Sequence, residues 1–101
     1  MGIAVAIVEE NRRFRDPLAR RLNETPGFRC VGACRSAEAA LAVLPRRQPD
    51  VILVDLHLPK LSGVDCTRRL KELCPAARSI QTLARRSRWR LCAMSEGWDW
   101  K

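Results

Sequence analysis

The stretch DVILVDLHLP, residues 50–59, decides how this chain is read. Residues 51–54 are apolar without a break, so both faces of any strand they form are buried. Such strands occupy the interior of parallel sheets. The run then ends on a carboxylate, Asp55. Open α/β sheets bind ligands beyond the C-terminal ends of their strands. Asp55 is therefore either a turn cap or a reactive group.

Working outward, the same grammar repeats. Ile3–Val8 is a second unbroken apolar run, closed by Glu9, Glu10 and Asn11. Asn11 suits a helix N-cap. A helix over 12–23 would bury a stripe of Phe14, Leu18 and Leu22, and Pro17 is expected to bend it. Thr25-Pro26-Gly27 forms a turn, and a strand follows over 28–34. Ser36 caps a helix with Ala40, Leu41 and Leu44 inward, which Pro45 is expected to stop. After the strand 51–55 comes a loop, and Ser62 or Gly63 starts a third helix through Leu73. A fourth strand is expected at 79–83. Strands and helices in strict alternation predict an α/β fold: a parallel sheet with helices on both faces. About three to four strand–helix units are expected, and a fifth does not fit in what remains.

Composition narrows the function classes. The hydrophobic fraction of 47% argues for a globular domain, and no apolar run has the length of a membrane span. The start MGIAVAIVEE is too short and too acidic at its end for a signal peptide, and Ala6 breaks the myristoylation pattern. A cytoplasmic location is expected. Five cysteines without a CxxC pair, beside a single histidine, give neither a disulfide framework nor a zinc site. Cys30 and Cys34 would share one face of the second strand and pack as small hydrophobes. The net charge of +8 admits an acidic partner or nucleic acid. The arginines come as scattered pairs, however, which reads as a solvated basic surface.

If the first and third strands are parallel neighbours, Glu9, Glu10 and Asp55 converge at one sheet edge. Like charges so close are costly, and a divalent cation with a taste for oxygen ligands, such as Mg²⁺, would relieve that cost. Alternatively, Glu9 and Glu10 are solvated loop acids and Asp55 caps a turn.

These residues resemble the receiver domain of two-component response regulators. VILVDLHLPKLSG is similar to the phosphoacceptor segment, with Asp55, then Pro59 four residues on and Gly63 eight on. AIVEEN resembles the acidic pair after the first strand, although Glu10 stands where Asp is usual. The resemblance covers roughly residues 3–78, and CRSAEAAL and LPKLSGVDCTRRL are similar to regulators with a helix-turn-helix output domain. It implies a flavodoxin-like topology and a phosphorelay role rather than an enzyme's. Asp55 would take a phosphoryl group from a histidine kinase or phosphotransfer protein. Mg²⁺ would be held by Glu9 or Glu10, Asp55 and the backbone carbonyl of His57, whose side chain is not required. Pro59 and Gly63 would shape the loop after the acceptor. A homodimer is also admitted by the resemblance, and no direct DNA-binding element follows the receiver-like part.

The resemblance breaks in the last part of the chain. Residues 1–78 read as the receiver-like domain and 79–101 as an atypical basic tail that holds Trp89, Trp98 and Trp100. The family's switch Thr or Ser falls on Leu83, with Thr82 one residue out of register. The family's lysine after the fifth strand has Lys101 as its only candidate. A truncation or frameshift would explain the tail. Three functions compete: a phosphoacceptor, a degenerate receiver acting only as an interaction module, and a basic nucleic-acid binder.

Overall fold

The computed structural model describes residues 2–83. Four strands alternate with three helices: β1 (Ile3–Val8), α1 (Arg12–Glu24), β2 (Phe28–Cys34), α2 (Ala37–Arg47), β3 (Val51–Asp55), α3 (Gly63–Leu73) and β4 (Ser79–Leu83). The strands form one parallel sheet in the order β2-β1-β3-β4. The chain steps one way from β1 to β2, then back across β1 to β3. Right-handed crossovers then place α1 on one face and α2 with α3 on the other. This is the expected flavodoxin-like arrangement, with helices on both faces.

The two faces are packed differently. Ala6, Val8, Ile52 and Val54 meet Ala37, Ala40 and Leu44 of α2 and Cys66 and Leu70 of α3 in one buried cluster. Leu41 is only partly buried against that cluster. On the other face Val5 and Ile7 are buried beneath α1, which packs on β1 and β2. The stripe of Phe14, Leu18 and Leu22 is half-buried there, and no residue of α1 is fully buried.

Side chains set the helix ends as the sequence predicts. Asn11 accepts from the Arg13 amide at 2.9 Å, Ser36 from Ala39 at 3.1 Å and Ser62 from Asp65 at 3.2 Å. Pro45 acts differently from expectation. α1 is continuous through Pro17, and α2 runs past Pro45 to Arg47. Each proline removes one helical donor. In α2 that loss is offset by the fully buried Leu44 and by a closing bond from the Gln48 amide to the Leu44 carbonyl at 3.2 Å. Gln48 takes the left-handed conformation, with φ of 50°. The Arg47 guanidinium also ties the last turn to the Val31 carbonyl at 3.1 Å.

The shared face expected for Cys30 and Cys34 is not formed. Cys30 pairs with Val5, but the next pair is Ala6 with Gly32, so Val31 is an extra residue in β2. Such a bulge shifts the alternation by one. Cys30 now shares Val5's position and Cys34 shares Val8's, which belong to opposite faces of the pleat.

The division expected after residue 78 falls immediately before β4. Residues 84–101, with Lys101 and the three tryptophans, lie outside the described residues. No helix among the described residues is long and apolar enough to cross a membrane.

Candidate functional site

β1 and β3 are neighbours, with Val8 opposite Val54. The next residue of each strand, Glu9 and Asp55, therefore emerges at the same edge. Among the described residues these two are the buried charged side chains, at 3% and 4% exposure. A buried carboxylate costs several kcal/mol unless it is compensated. Two of them at the ends of adjacent central strands are what stability alone would remove.

Local hydrogen bonds hold both groups. The Glu9 amide donates to the Cys34 carbonyl at 2.9 Å, which prolongs the pairing of β1 with β2. Glu9 Oε2 accepts from the Asn11 amide at 3.0 Å. Asp55 Oδ1 accepts from the His57 amide at 3.0 Å, an Asx turn that directs the chain away from the sheet. The His57 side chain is exposed to solvent.

The acidic pair divides. Glu9 is buried and Glu10 is exposed. Among the described residues no three acidic, His or Cys side chains are grouped closely enough to hold a metal ion. The convergence of Glu9, Glu10 and Asp55 as a trio is therefore not formed. What the edge offers is a buried pair of carboxylates beside the backbone of the loop.

The loop after Asp55 is held at both ends. Leu58 is buried in the α2–α3 core, while Pro59 and Lys60 are exposed. Lys60 adopts a left-handed φ of 63°, which turns the chain toward α3. Gly63 is fixed by packing. Its amide donates to the Leu56 carbonyl at 3.2 Å. A Cβ there would stand 2.7 Å from Leu56 Cα and would overlap the Asp55 carbonyl oxygen. The first turn of α3 lies against the backbone of Asp55 and Leu56, and only glycine permits it. The eight-residue spacing from Asp55 to Gly63 thus has a steric cause.

Two contributors were not legible in the sequence. Arg15 Nη1 donates to the carbonyls of Glu9 at 3.2 Å and Glu10 at 3.4 Å, so one guanidinium fixes the acidic turn from behind. Its only sequence signal is its place one helical turn after the Asn11 cap. Asp50 lies at the opposite edge and joins β1, β3 and β4. At the site's own edge Leu83 is in register with Asp55, and Thr82 with Val54. The backbone thus puts the out-of-register threonine where counting put it.

Comparison with known proteins agrees with this geometry. Residues 5–89 match the family described as the response regulator receiver domain. A protein-glutamate methylesterase/protein-glutamine glutaminase of Syntrophus aciditrophicus is 40% identical over 73 residues, 72% of this chain and 21% of the relative. The transcriptional regulatory protein DegU of Brevibacillus brevis is 34% identical over 73 residues, 72% of this chain and 31% of the relative. The chain thus spans about a fifth to a third of the length of these relatives. Among solved structures, the signal receiver domain of a modulated diguanylate cyclase from Desulfovibrio desulfuricans superposes with a TM-score of 0.72. It is 27% identical, and the match covers 94% of this chain and 73% of that one. The response regulator domain of Thermotoga maritima CheB gives a TM-score of 0.74 at 19% identity, over 94% and 73% of the two chains, and supports the fold alone. With two buried carboxylates at adjacent strand ends and a glycine-dependent loop behind them, the chain belongs to the response regulator receiver domain family.

Proposed function

We propose that this chain is a phosphoacceptor in a two-component phosphorelay, with Asp55 as the acceptor. The observation that carries the reading is the pairing of Asp55 with Glu9 as buried carboxylates at the C-terminal ends of adjacent central strands. A carboxylate oxygen of Asp55 attacks the phosphorus of a phosphohistidine on a histidine kinase or phosphotransfer protein. The P–N bond breaks, the imidazole leaves and takes up a proton, and Asp55 becomes an acyl phosphate. Positioning and charge neutralisation supply most of the catalysis in such transfers, so few side chains are needed.

The donor set fits Mg²⁺, which favours hard oxygen ligands and keeps several waters. Glu9 or Glu10, Asp55 and the His57 carbonyl would hold it. Bound there, it would neutralise the charge gathered on the phosphoryl oxygens. Asp55 is oriented by the His57 amide, Glu9 by the Asn11 amide, and Pro59 and Gly63 shape the loop around the acceptor.

Amide NMR with Mg²⁺ and beryllofluoride, a mimic of the aspartyl phosphate, tests this reading. Shifts centred on Glu9, Glu10 and Asp55 in a dispersed spectrum are expected. A dispersed spectrum that does not change would refute it.

One observation favours a second reading. Leu83 lies opposite Asp55 where the family carries a Thr or Ser. Without that hydroxyl the domain would act as an interaction module independent of phosphorylation. Partner binding that survives Asp55→Asn is its signature. Membership of the subgroup with helix-turn-helix outputs is part of this proposal, resting on the likeness of residues 34–41 and 58–70 to such regulators, and the cytoplasm is the proposed location.

A further inference from the structure

The phosphoacceptor reading leaves the +8 charge unused. Three arginines meet at one place on the far side of β2. Arg15 of α1, Arg35 after β2 and Arg47 of α2 line an open cleft of about 420 Å³, together with Gly32, Cys34 and Val43. No acidic side chain lines it. We propose that this cleft binds a small organic anion through its carboxylate or phosphate group.

The geometry supports a built site. The volume falls in the range of small-ligand pockets. Guanidinium forks match carboxylate and phosphate oxygens in pairs. Two of the three are already held in place. Arg47 Nη1 is anchored on the Val31 carbonyl at 3.1 Å. Arg15 is anchored on the Glu9 and Glu10 carbonyls and on Asp16 Oδ1, the last at 3.2 Å, and its side chain is only 16% exposed. Groups fixed before binding lose little entropy when the ligand arrives. Asp16 offsets part of Arg15's charge, and each guanidinium keeps further N–H donors. The charges of Arg47 and Arg15 also act on the Cys34 thiol, against the burial that raises its pKa, as expected if both flank the cleft. Gly32 packs closely against α2, where a Cβ would come within 2.8 Å of Leu44 Cδ2.

Arg15 gives the cleft a consequence. The same guanidinium that lines it holds the carbonyls of Glu9 and Glu10. An anion that binds the remaining N–H groups of Arg15 shares that guanidinium with the turn, so occupancy of the cleft is felt at the acidic residues. The binding itself does not require Asp55.

The test is an amide NMR titration of the whole chain without Mg²⁺, using inorganic pyrophosphate in one arm and succinate in the other. Saturable shifts confined to Gly32–Arg35, to residues 39–47 and to the turn at 9–15 are expected. The arm that saturates names the head group. Arg35→Glu, at an exposed position, should weaken binding by about tenfold or more. Arg47→Lys should weaken it less than Arg47→Ala. Asp55→Asn should bind as the parent does, which separates this site from the phosphoacceptor reading. If neither anion saturates, or Arg35→Glu titrates like the parent, the proposal falls.

Discussion

Two aspartates bracket β3, and their surroundings differ. Asp50, at the entry, is committed to backbone. Its Oδ2 accepts from the Ala4 amide at 2.9 Å, and its own amide donates to the Ala4 carbonyl at 2.8 Å. Its carbonyl accepts from the Arg78 and Ser79 amides at 2.7 and 3.2 Å. One residue thereby ties the starts of β1, β3 and β4 together. Asp55, at the exit, is more deeply buried and stands beside a second buried carboxylate. The same side chain does opposite work at the two ends. Where backbone donors surround it, it holds the sheet. Where it stands at a strand end adjacent to another buried acid, it is the residue proposed as the phosphoacceptor. The first kind of aspartate is judged by stability, the second by chemistry.

The largest effect on the comparison is expected at Gly63. Gly63→Val should push α3 off the Asp55–Leu56 backbone, because the obstructing atoms are main chain and cannot rotate away. Overpacking of this kind costs about 1–3 kcal/mol or more. Thermal unfolding should show a loss of several degrees, together with displaced amide signals at Asp55. An unchanged melting temperature would show that the contact is not tight.

Asp50→Ala comes next. It leaves the Ala4 amide without its carboxylate partner, a loss of about 1–3 kcal/mol. Urea unfolding should show it, while any phosphorylation of the folded fraction should persist. Loss of phosphorylation without loss of stability would erase the distinction between the two ends.

Glu9→Gln should do the reverse. It removes a charge from the paired acids and should weaken Mg²⁺ binding by about tenfold or more, read by titration, with stability held or raised. A large stability loss would make Glu9 a structural residue like Asp50.

The smallest effect concerns Cys66. Burial pushes its thiol pKa up to about 11 from an ordinary value of 9.0. The unfolded chain releases that proton first, so stability should fall as pH rises from about 9 toward about 11. Unfolding midpoints across that window measure it, against a Cys66→Ala control that should lack this component.

Much of this was legible in the sequence because local and global signals agree. The apolar runs of β1 and β3, and the caps Asn11, Ser36 and Ser62, needed no tertiary knowledge. Pro45 did. It reads as a stop, yet the buried Leu44 and the Arg47 tie carry α2 through it. The Val31 bulge was hidden as well, because one extra residue in β2 leaves no compositional mark and reverses the relation of Cys30 to Cys34. At the site, Asp55 and Gly63 were visible as a spacing. The division between buried Glu9 and exposed Glu10 depends on how the chain leaves β1, and Arg15's hold on that turn depends on α1 folding back over it. Neither is written in residue order.

The central claim is that Asp55 is the reactive aspartate of the pair. Intact mass after treatment of the folded chain with a small phosphodonor and Mg²⁺ tests it most directly. The account predicts one added phosphoryl group, absent in Asp55→Asn and retained in Asp50→Asn. An unchanged mass on folded protein, or phosphorylation that survives Asp55→Asn, would contradict it.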